Sequence, residues 1–218
     1  MNLNLILLND KIKNLTYDTV FTEKPMSNLI DFDYKTILSP PPENTSSKTQ
    51  KELAIVSKFT LNRTQEDLKL IYNMDVDMDS YYINFLKKNN LKYPERYINL
   101  FYDVVEPVLM NAKSFWNRPR PSQLAKLYDI PIRVIVTDTI HTASYPSGHT
   151  VYSKLVSNIL SDIYPQYSKS FDKIAQKTAE ARVKQGVHYP SDNAASIKFI
   201  NYIYNKLQTK LRKYYDNS

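Results

Sequence analysis

Cysteine is absent from the sequence, which excludes disulfides and thiolate metal ligands. Glycine is nearly absent, with two residues in 218, so each one marks a place where the backbone has a special requirement. Histidine is also scarce, at three. No apolar run approaches the roughly 20 residues needed to span a bilayer. The opening stretch, Met1 to Asp10, lacks a basic start and a small-residue cleavage site, and its apolar run is short. It is read as lacking an export signal, with a cytoplasmic or otherwise non-exported location as the expectation.

The composition is that of a soluble globular protein, 42% hydrophobic and 23% charged. The net charge of +7 points to an anionic partner: nucleic acid, an acidic membrane surface or a small phosphate compound. Residues 1–218 read as one domain, with 1–38 hard to assign. Ser39-Pro40-Pro41-Pro42 reads as extended. Ser47 and Gln50 fit a capping box for a short amphipathic helix with Leu53, Ile55, Val56 and Phe59. Thr64 is a candidate cap for a helix to about Met74. Asp75-Val76-Asp77-Met78-Asp79 is similar to the start of a calcium loop, but Ser80 and Leu86 stand where glycine and glutamate are required. The run is read instead as the cap of a helix carrying Tyr82, Phe85 and Leu86. Pro94 opens a longer helix with the stripe Tyr97, Phe101, Val104, Val108 and Phe115, kinked at Pro107. From Asn117 to Pro146 no helical period is convincing, and Ile132–Val136 is strand-like but isolated. Further helices are predicted over 147–163, about 170–184, and from Pro190 onward with Ala195, Phe199, Ile203 and Leu207 on one face. The chain reads as all-α.

Both glycines lie beside histidines. Pro146-Ser147-Gly148-His149 is a turn running into a helix start, with Ser147 as N-cap and free N–H groups that favour an anion. Two other stretches carry matching chemistry: Lys113-x6-Arg120-Pro121 and Arg182-x5-His188-x3-Asp192. Together they supply one lysine, two arginines, two histidines and a carboxylate. That inventory suits phosphoryl transfer without a metal, with arginine and lysine holding oxygens and histidines attacking phosphorus and moving protons. Bland readings exist for each piece. Lys113 fits a solvated surface lysine, Arg118 and Arg120 fit helix C-terminal charges, as does Arg182, and His188 with Asp192 fits a turn histidine and an N-cap. His149, His188 and Asp192 could also hold a metal, although the cationic neighbours oppose it. His141 fits no motif. A basic nucleic-acid-binding module is a reading from another class. Against it, the 18 tyrosines are spread along helical stripes rather than interleaved with a basic cluster.

The three stretches KSFWNRPRP at Lys113–Pro121, SYPSGHT at Ser144–Thr150 and ARVKQGVHYPSD at Ala181–Asp192 resemble, in this order, the signature of the type 2 phosphatidic acid phosphatase superfamily. They span residues 113–192. Leu38-Ser39-Pro40-Pro41-Pro42 also resembles the proline-rich segment of the soluble class A acid phosphatases. The resemblance implies a single-domain helical bundle and a metal-free phosphohistidine mechanism on a small phosphorylated substrate. It implies His188 as nucleophile oriented by Asp192, and His149 as acid and then base. Lys113, Arg120 and Arg182, with Ser147 and Gly148, would bind the phosphate. No cofactor is implied. The alternative within the same site is a vanadium-dependent haloperoxidase, with vanadate bound to His188. One departure is Ala181 where the family usually has serine, which would remove a hydroxyl beside the phosphate at a cost of about 1.5–3 kcal/mol. Substrate specificity is expected from the helix 76–91 and the loop 122–145. Oligomeric state is not legible.

Overall fold

Helices account for all the regular structure among residues 3–17 and 24–216, the part of the chain that the computed structural model describes, and no strand forms there. In order they are α1 (Leu3–Asn14), α2 (Tyr34–Ile37), α3 (Ser47–Leu61), α4 (Gln65–Val76) and α5 (Asp79–Lys88). Then come α6 (Glu95–Trp116), α7 (Pro121–Ala125), α8 (Gly148–Ile163), α9 (Ser168–Gln185) and α10 (Pro190–Asp216). The all-α expectation holds. Helix α8 lies at the centre. It packs chiefly on α9 and α10, and its Val151, Leu155, Val156, Ile159 and Leu160 are fully buried. The main core joins them to Ile98, Phe101, Val105 and Val108 of α6, Phe171 of α9, and Phe199, Ile203 and Leu207 of α10. These are the inward positions of 3.6-residue periods, so burial of the stripes drives the packing.

Local signals set the helix ends. The Thr64 hydroxyl accepts from the Asp67 N–H while the Asp67 carboxylate accepts from the Thr64 N–H, so α4 has a full capping box. The α3 cap is Ser46 rather than Ser47, with its hydroxyl accepting from Thr49 N–H at 3.2 Å. Helix α6 stops at Asn117, in the left-handed region at φ 41°, a conformation asparagine tolerates. Pro107 lies inside α6, which continues through it.

Several expectations are corrected. The acidic run does not cap one helix: Asp75 and Val76 end α4, and the Asp77 carboxylate accepts from Ser80 N–H at the start of α5. Ile55, Phe59 and Phe115 point outward, at 42%, 43% and 49% exposure, so the apolar stripes of α3 and α6 are narrower than their sequences suggest. A short helix, α7, and a 3₁₀ turn at Lys126–Tyr128 interrupt the region expected to be irregular. Residues 129–147 have no regular structure, and Ile132–Val136 is not a strand. This segment is tied down at the Pro131 carbonyl, which accepts from Ser57 hydroxyl at 2.6 Å, and at Ile135, which exchanges bonds with Gln185.

Gly186 ends α9 at φ 88°, where a side chain is strained. A Cβ there would also meet Thr60 Cγ2 at 3.0 Å and Ile132 Cγ2 at 3.1 Å. Gly186→Ala is therefore expected to destabilise the protein by at least about 1–2 kcal/mol. A denaturant titration checks this, and an unchanged midpoint would remove the conformational argument.

Candidate active site

Seven segments meet at one end of the helical assembly. The end of α6 supplies Lys113, and the turn after it supplies Arg118 and Arg120. The irregular segment supplies Thr139, Thr142 and Ser144, and the start of α8 supplies Gly148 and His149. The end of α9 brings Arg182, and the turn into α10 brings His188 and Asp192. The end of α4 adds Asp75.

Lys113 is 3% exposed, so the solvated-lysine reading fails. Its ammonium donates to the Ala143 carbonyl at 2.7 Å. Arg120, 4% exposed, donates to the carbonyls of Thr142 at 2.9 Å and Val187 at 2.8 Å. Neither forms an ion pair among the described residues, and both line a cavity of about 510 Å³. Burial and the Arg120 charge push the Lys113 pKa well below its ordinary value, and burial with Arg182 lowers Arg120 to about 10. Buried cations without a counter-charge are costly unless something anionic completes them. Arg182 differs. It lies just behind the cavity wall, paired with Asp75 and donating to Thr139 hydroxyl at 3.2 Å, and its Nε has no partner among the described residues.

His188 and Asp192 are both buried, with His188 Nδ1 3.2 Å from Asp192 Oδ2. An ionised carboxylate only accepts, so Nδ1 carries the proton and Nε2 the lone pair. Arg120 Nη1 donates to that lone pair at 2.9 Å. Burial would raise the Asp192 pKa, but Arg118, His188 and Ser144 outweigh it and hold the pKa at about 2. Burial and Arg120 push His188 well below its ordinary value, so its imidazole is neutral.

Arg118 is not an exposed helix-terminal charge. Its Nη1 meets Asp192 Oδ1 at 2.5 Å, its Nη2 meets Glu52 Oε2 at 3.3 Å, and its guanidinium stacks 3.7 Å from the Tyr189 ring centroid. Removing one member of a buried pair typically costs about 3–5 kcal/mol, so this arrangement holds the site's geometry firmly. Neither Arg118 nor Glu52 was singled out by motif spacing. Glu52 sits 66 residues before Arg118 on a helix whose period alone predicted only apolar packing.

His149 faces the cavity, its Nε2 3.8 Å from Asp75 Oδ1, outside direct hydrogen-bond reach. Burial and Arg182 lower its pKa to about 3, against the opposing pull of Asp75. Burial would raise the Asp75 pKa, but Thr139 and Arg182 outweigh it. Gly148 lines the cavity without a left-handed backbone; a Cβ there would merely contact Leu109 at 3.7 Å and Lys113 at 3.8 Å. The N–H groups of Gly148 and His149 lie in the first turn of α8, where no intrahelical acceptor exists.

Ser147 departs from expectation. It is fully buried and does not line the cavity; its N–H donates to Ser196 hydroxyl at 2.8 Å, and its hydroxyl pairs with Thr150 instead of capping the helix. Ala181 also departs. It packs in an apolar cluster with Ile71 and Met74, so no hydroxyl is missing from the cavity there. His141 is exposed in the irregular segment. The rest of the cavity is formed by Val76–Asp79, by Tyr102, Glu106, Leu109 and Met110 of α6, and by Tyr152 of α8. Of the two regions expected to shape specificity, the first contributes Val76–Asp79 and the second only Thr139 and Thr142, while α6 and α8 supply the remainder. Among the described residues no three His, Cys, Asp or Glu side chains are grouped to hold a metal ion. No described helix is long and apolar enough to cross a membrane.

The fold is similar to that of a solved structure, the first transmembrane PAP2 type phosphatidylglycerolphosphate phosphatase from Bacillus subtilis. The TM-score is 0.51 at 17% sequence identity, over 76% of this chain and 89% of that one. The chain thus shares that protein's helical fold. No protein-family model and no curated protein matches it.

The buried His188 and the partly buried His149 have a consequence for stability. In the unfolded chain they protonate near pH 6.5, whereas in the folded chain His149 does so only near pH 3. Below about 6.5 the unfolded state therefore binds more protons, and stability falls with acid. The Asp192 shift adds a further loss only below its unfolded value of 3.8. Thermal melts are expected to fall steadily from pH 7 to 4. Saturating orthophosphate should flatten that fall, because an anion beside the histidines favours their protonated forms. A melting temperature indifferent to both pH and phosphate would contradict the electrostatics.

Proposed function

We propose that this chain is a metal-independent phosphomonoester hydrolase, acid phosphatase-like, acting through a phosphohistidine. The observation that carries the reading is the pair of buried, uncompensated cations, Lys113 and Arg120, lining one cavity with the lone-pair nitrogen of His188. A phosphate monoester has the charge to complete both, and phosphorus is the electrophile that a neutral imidazole attacks. The similar solved structure is named for a phosphatidylglycerolphosphate phosphatase, which supports phosphate-ester chemistry on this fold.

In this reading Lys113 and Arg120 bind the phosphate oxygens. The N–H groups of Gly148 and His149 add donors, and Arg182 contributes from behind Asp75. Arg120 must release His188 Nε2, to which it donates at 2.9 Å, and exchanging that contact for a phosphate oxygen favours it by charge. His188 Nε2 then attacks phosphorus while the ester oxygen leaves with a proton from His149. The P–N bond forms and the P–O bond breaks. Asp192 stabilises the positive charge that develops on the His188 ring. Neutral His149 then takes a proton from water, whose oxygen attacks phosphorus. The P–N bond breaks and orthophosphate leaves. The protein needs no cofactor for this cycle. Ser147 serves by holding the turn that presents Gly148 and His149.

His149 must hold a proton for the first half of the cycle, and because its pKa is low before substrate binds, acid favours its taking that proton as the phosphate enters. Hydrolysis of an aryl phosphate in the presence of a chelator tests the whole reading. The expected result is turnover that rises toward acid, is blocked by orthovanadate, and is absent in His188→Ala. Turnover surviving in that variant would sink the covalent mechanism. His149→Ala should lose about 10²–10⁴-fold on an alkyl phosphate and less on a nitrophenyl phosphate, whose leaving group needs less protonation. Equal losses would remove His149 from the acid role. Absence of turnover, together with halide oxidation by the vanadate-loaded protein, would favour the haloperoxidase alternative.

A further inference from the structure

Glu52 lies on α3 and does not line the cavity, yet it forms the last link of a chain leading to His188. Its Oε1 accepts from Ser191 N–H at 2.7 Å, and its Oε2 accepts from Ser191 hydroxyl at 2.7 Å and from Arg118 Nη2 at 3.3 Å. Arg118 Nη1 donates to Asp192 Oδ1 at 2.5 Å and to Ser191 hydroxyl at 2.8 Å. Asp192 in turn receives His188 Nδ1–H on its other oxygen. Arg118 is thus one cation shared by two buried carboxylates. The shared geometry is rigid, because the guanidinium is stacked on Tyr189.

We infer that Glu52 is a positioning residue for the His188–Asp192 pair, acting through Arg118. The inference rests on the proposed role of His188 as nucleophile. Asp192 serves that role by holding the Nδ1–H and by balancing positive charge on the ring once Nε2 is bonded to phosphorus. Arg118 works against the second task, since a full positive charge at 2.5 Å already satisfies the carboxylate. Glu52 draws part of that charge away. With all three groups ionised the cluster carries one net negative charge facing His188; without Glu52 it is neutral. The tether to Ser191, next to Asp192 in sequence, fixes Glu52 relative to the start of α10 and so fixes where Arg118 can sit.

Glu52 is reachable from outside the active-site cavity. It lines a separate cavity of about 380 Å³ with Pro40–Pro42, Lys48, Tyr145, Ser191 and Lys198. Deleting its side chain would leave a hole open to that cavity, large enough for a formate ion. Rescue by formate therefore distinguishes a charge role from a packing role.

The experiment compares wild type, Glu52→Gln and Glu52→Ala, each confirmed folded by circular dichroism. The expected result is a fall in kcat of about 10-fold in both variants with KM little changed, because the substrate-binding cations are untouched. Formate, against chloride at equal ionic strength, should restore Glu52→Ala but not Glu52→Gln. A second readout needs no turnover. With only three histidines, nitrogen-15 labelling resolves His188, and its Nδ1–H signal should move upfield in Glu52→Gln as the bond to Asp192 weakens. Loss of activity by KM alone, or a fall in kcat without formate rescue and with an unmoved His188 signal, would overturn the inference. So would failure of both variants to fold, which would assign Glu52 to the fold itself. If wild type hydrolyses no phosphate ester, the functional reading fails, and the shift of the His188 signal still decides whether Glu52 acts on that ring.

Discussion

The Asp192 carboxylate is fully buried, out of contact with bulk solvent. Four donors replace the solvent: Arg118 Nη1, Ser144 hydroxyl, Tyr189 N–H and His188 Nδ1–H. They come from the turn after α6, the irregular segment before α8 and the turn into α10. At that point the segments are held by the donors they send to Asp192 and by Ser144 N–H, which donates to the Arg118 carbonyl at 2.9 Å. Leaving any donor out would strand part of an ion in a low-dielectric interior, which is far costlier than a lost surface hydrogen bond. One buried anion thus determines how three loops meet. It also determines that His188 presents its lone pair in the opposite direction, toward the cavity.

That direction gives the site its polarity. Behind His188 lie Asp192 and Glu52; in front lie Lys113 and Arg120, with Arg182 beyond. The protein satisfies Lys113 and Arg120 with backbone carbonyls at Ala143, Thr142 and Val187. Carbonyls satisfy hydrogen-bonding demand without cancelling charge. The cavity therefore stays attractive to an anion even though its cations are well bonded. Carboxylates in those positions would have made stronger pairs and closed the site.

The sequence carried the inventory of the candidate site in its spacing but not its depth. Lys113, Arg120, Gly148, His149 and His188 all line one cavity, as three motifs read together implied. A helical period cannot tell a buried lysine from a solvated one, because Lys113 sits on α6 beside positions that do reach solvent. The partners of the motif residues were invisible for a different reason. Asp75 meets Arg182 across 107 residues, and Glu52 meets Arg118 across 66, and single carboxylates on amphipathic helices carry no local mark of such pairing. Asp75 was further masked by its neighbours, since an acidic run before a helix is ordinarily a cap. Ser147 and Ala181 mislead in the other direction. Both belong to motif stretches, yet one faces Ser196 and Thr150 and the other Ile71 and Met74. The fold class was legible because α6, α8, α9 and α10 have strong apolar stripes. The short α7 was not, because a helix of five residues offers too little period to detect.

Asp75 also shapes what happens when phosphate arrives under the proposed chemistry. Arg182 is paired through Nη1 with Asp75, so an incoming phosphate meets an arginine that already holds one anion. Two anions on one guanidinium repel, and the repulsion is relieved most directly by a proton. His149 is the group placed to take it, because its Nε2 is 3.8 Å from Asp75 and it lies beside the cavity that receives the phosphate. In that chemistry a protonated His149 would pair with Asp75 while lining the cavity that takes the ester. The depressed pKa of the free enzyme is then no obstacle to its acid role. The same substrate charge that competes for Arg182 raises the proton affinity of His149 where the leaving oxygen needs it. Binding and protonation become one event, and the carboxylate that would otherwise hinder phosphate binding is what makes the proton arrive with it.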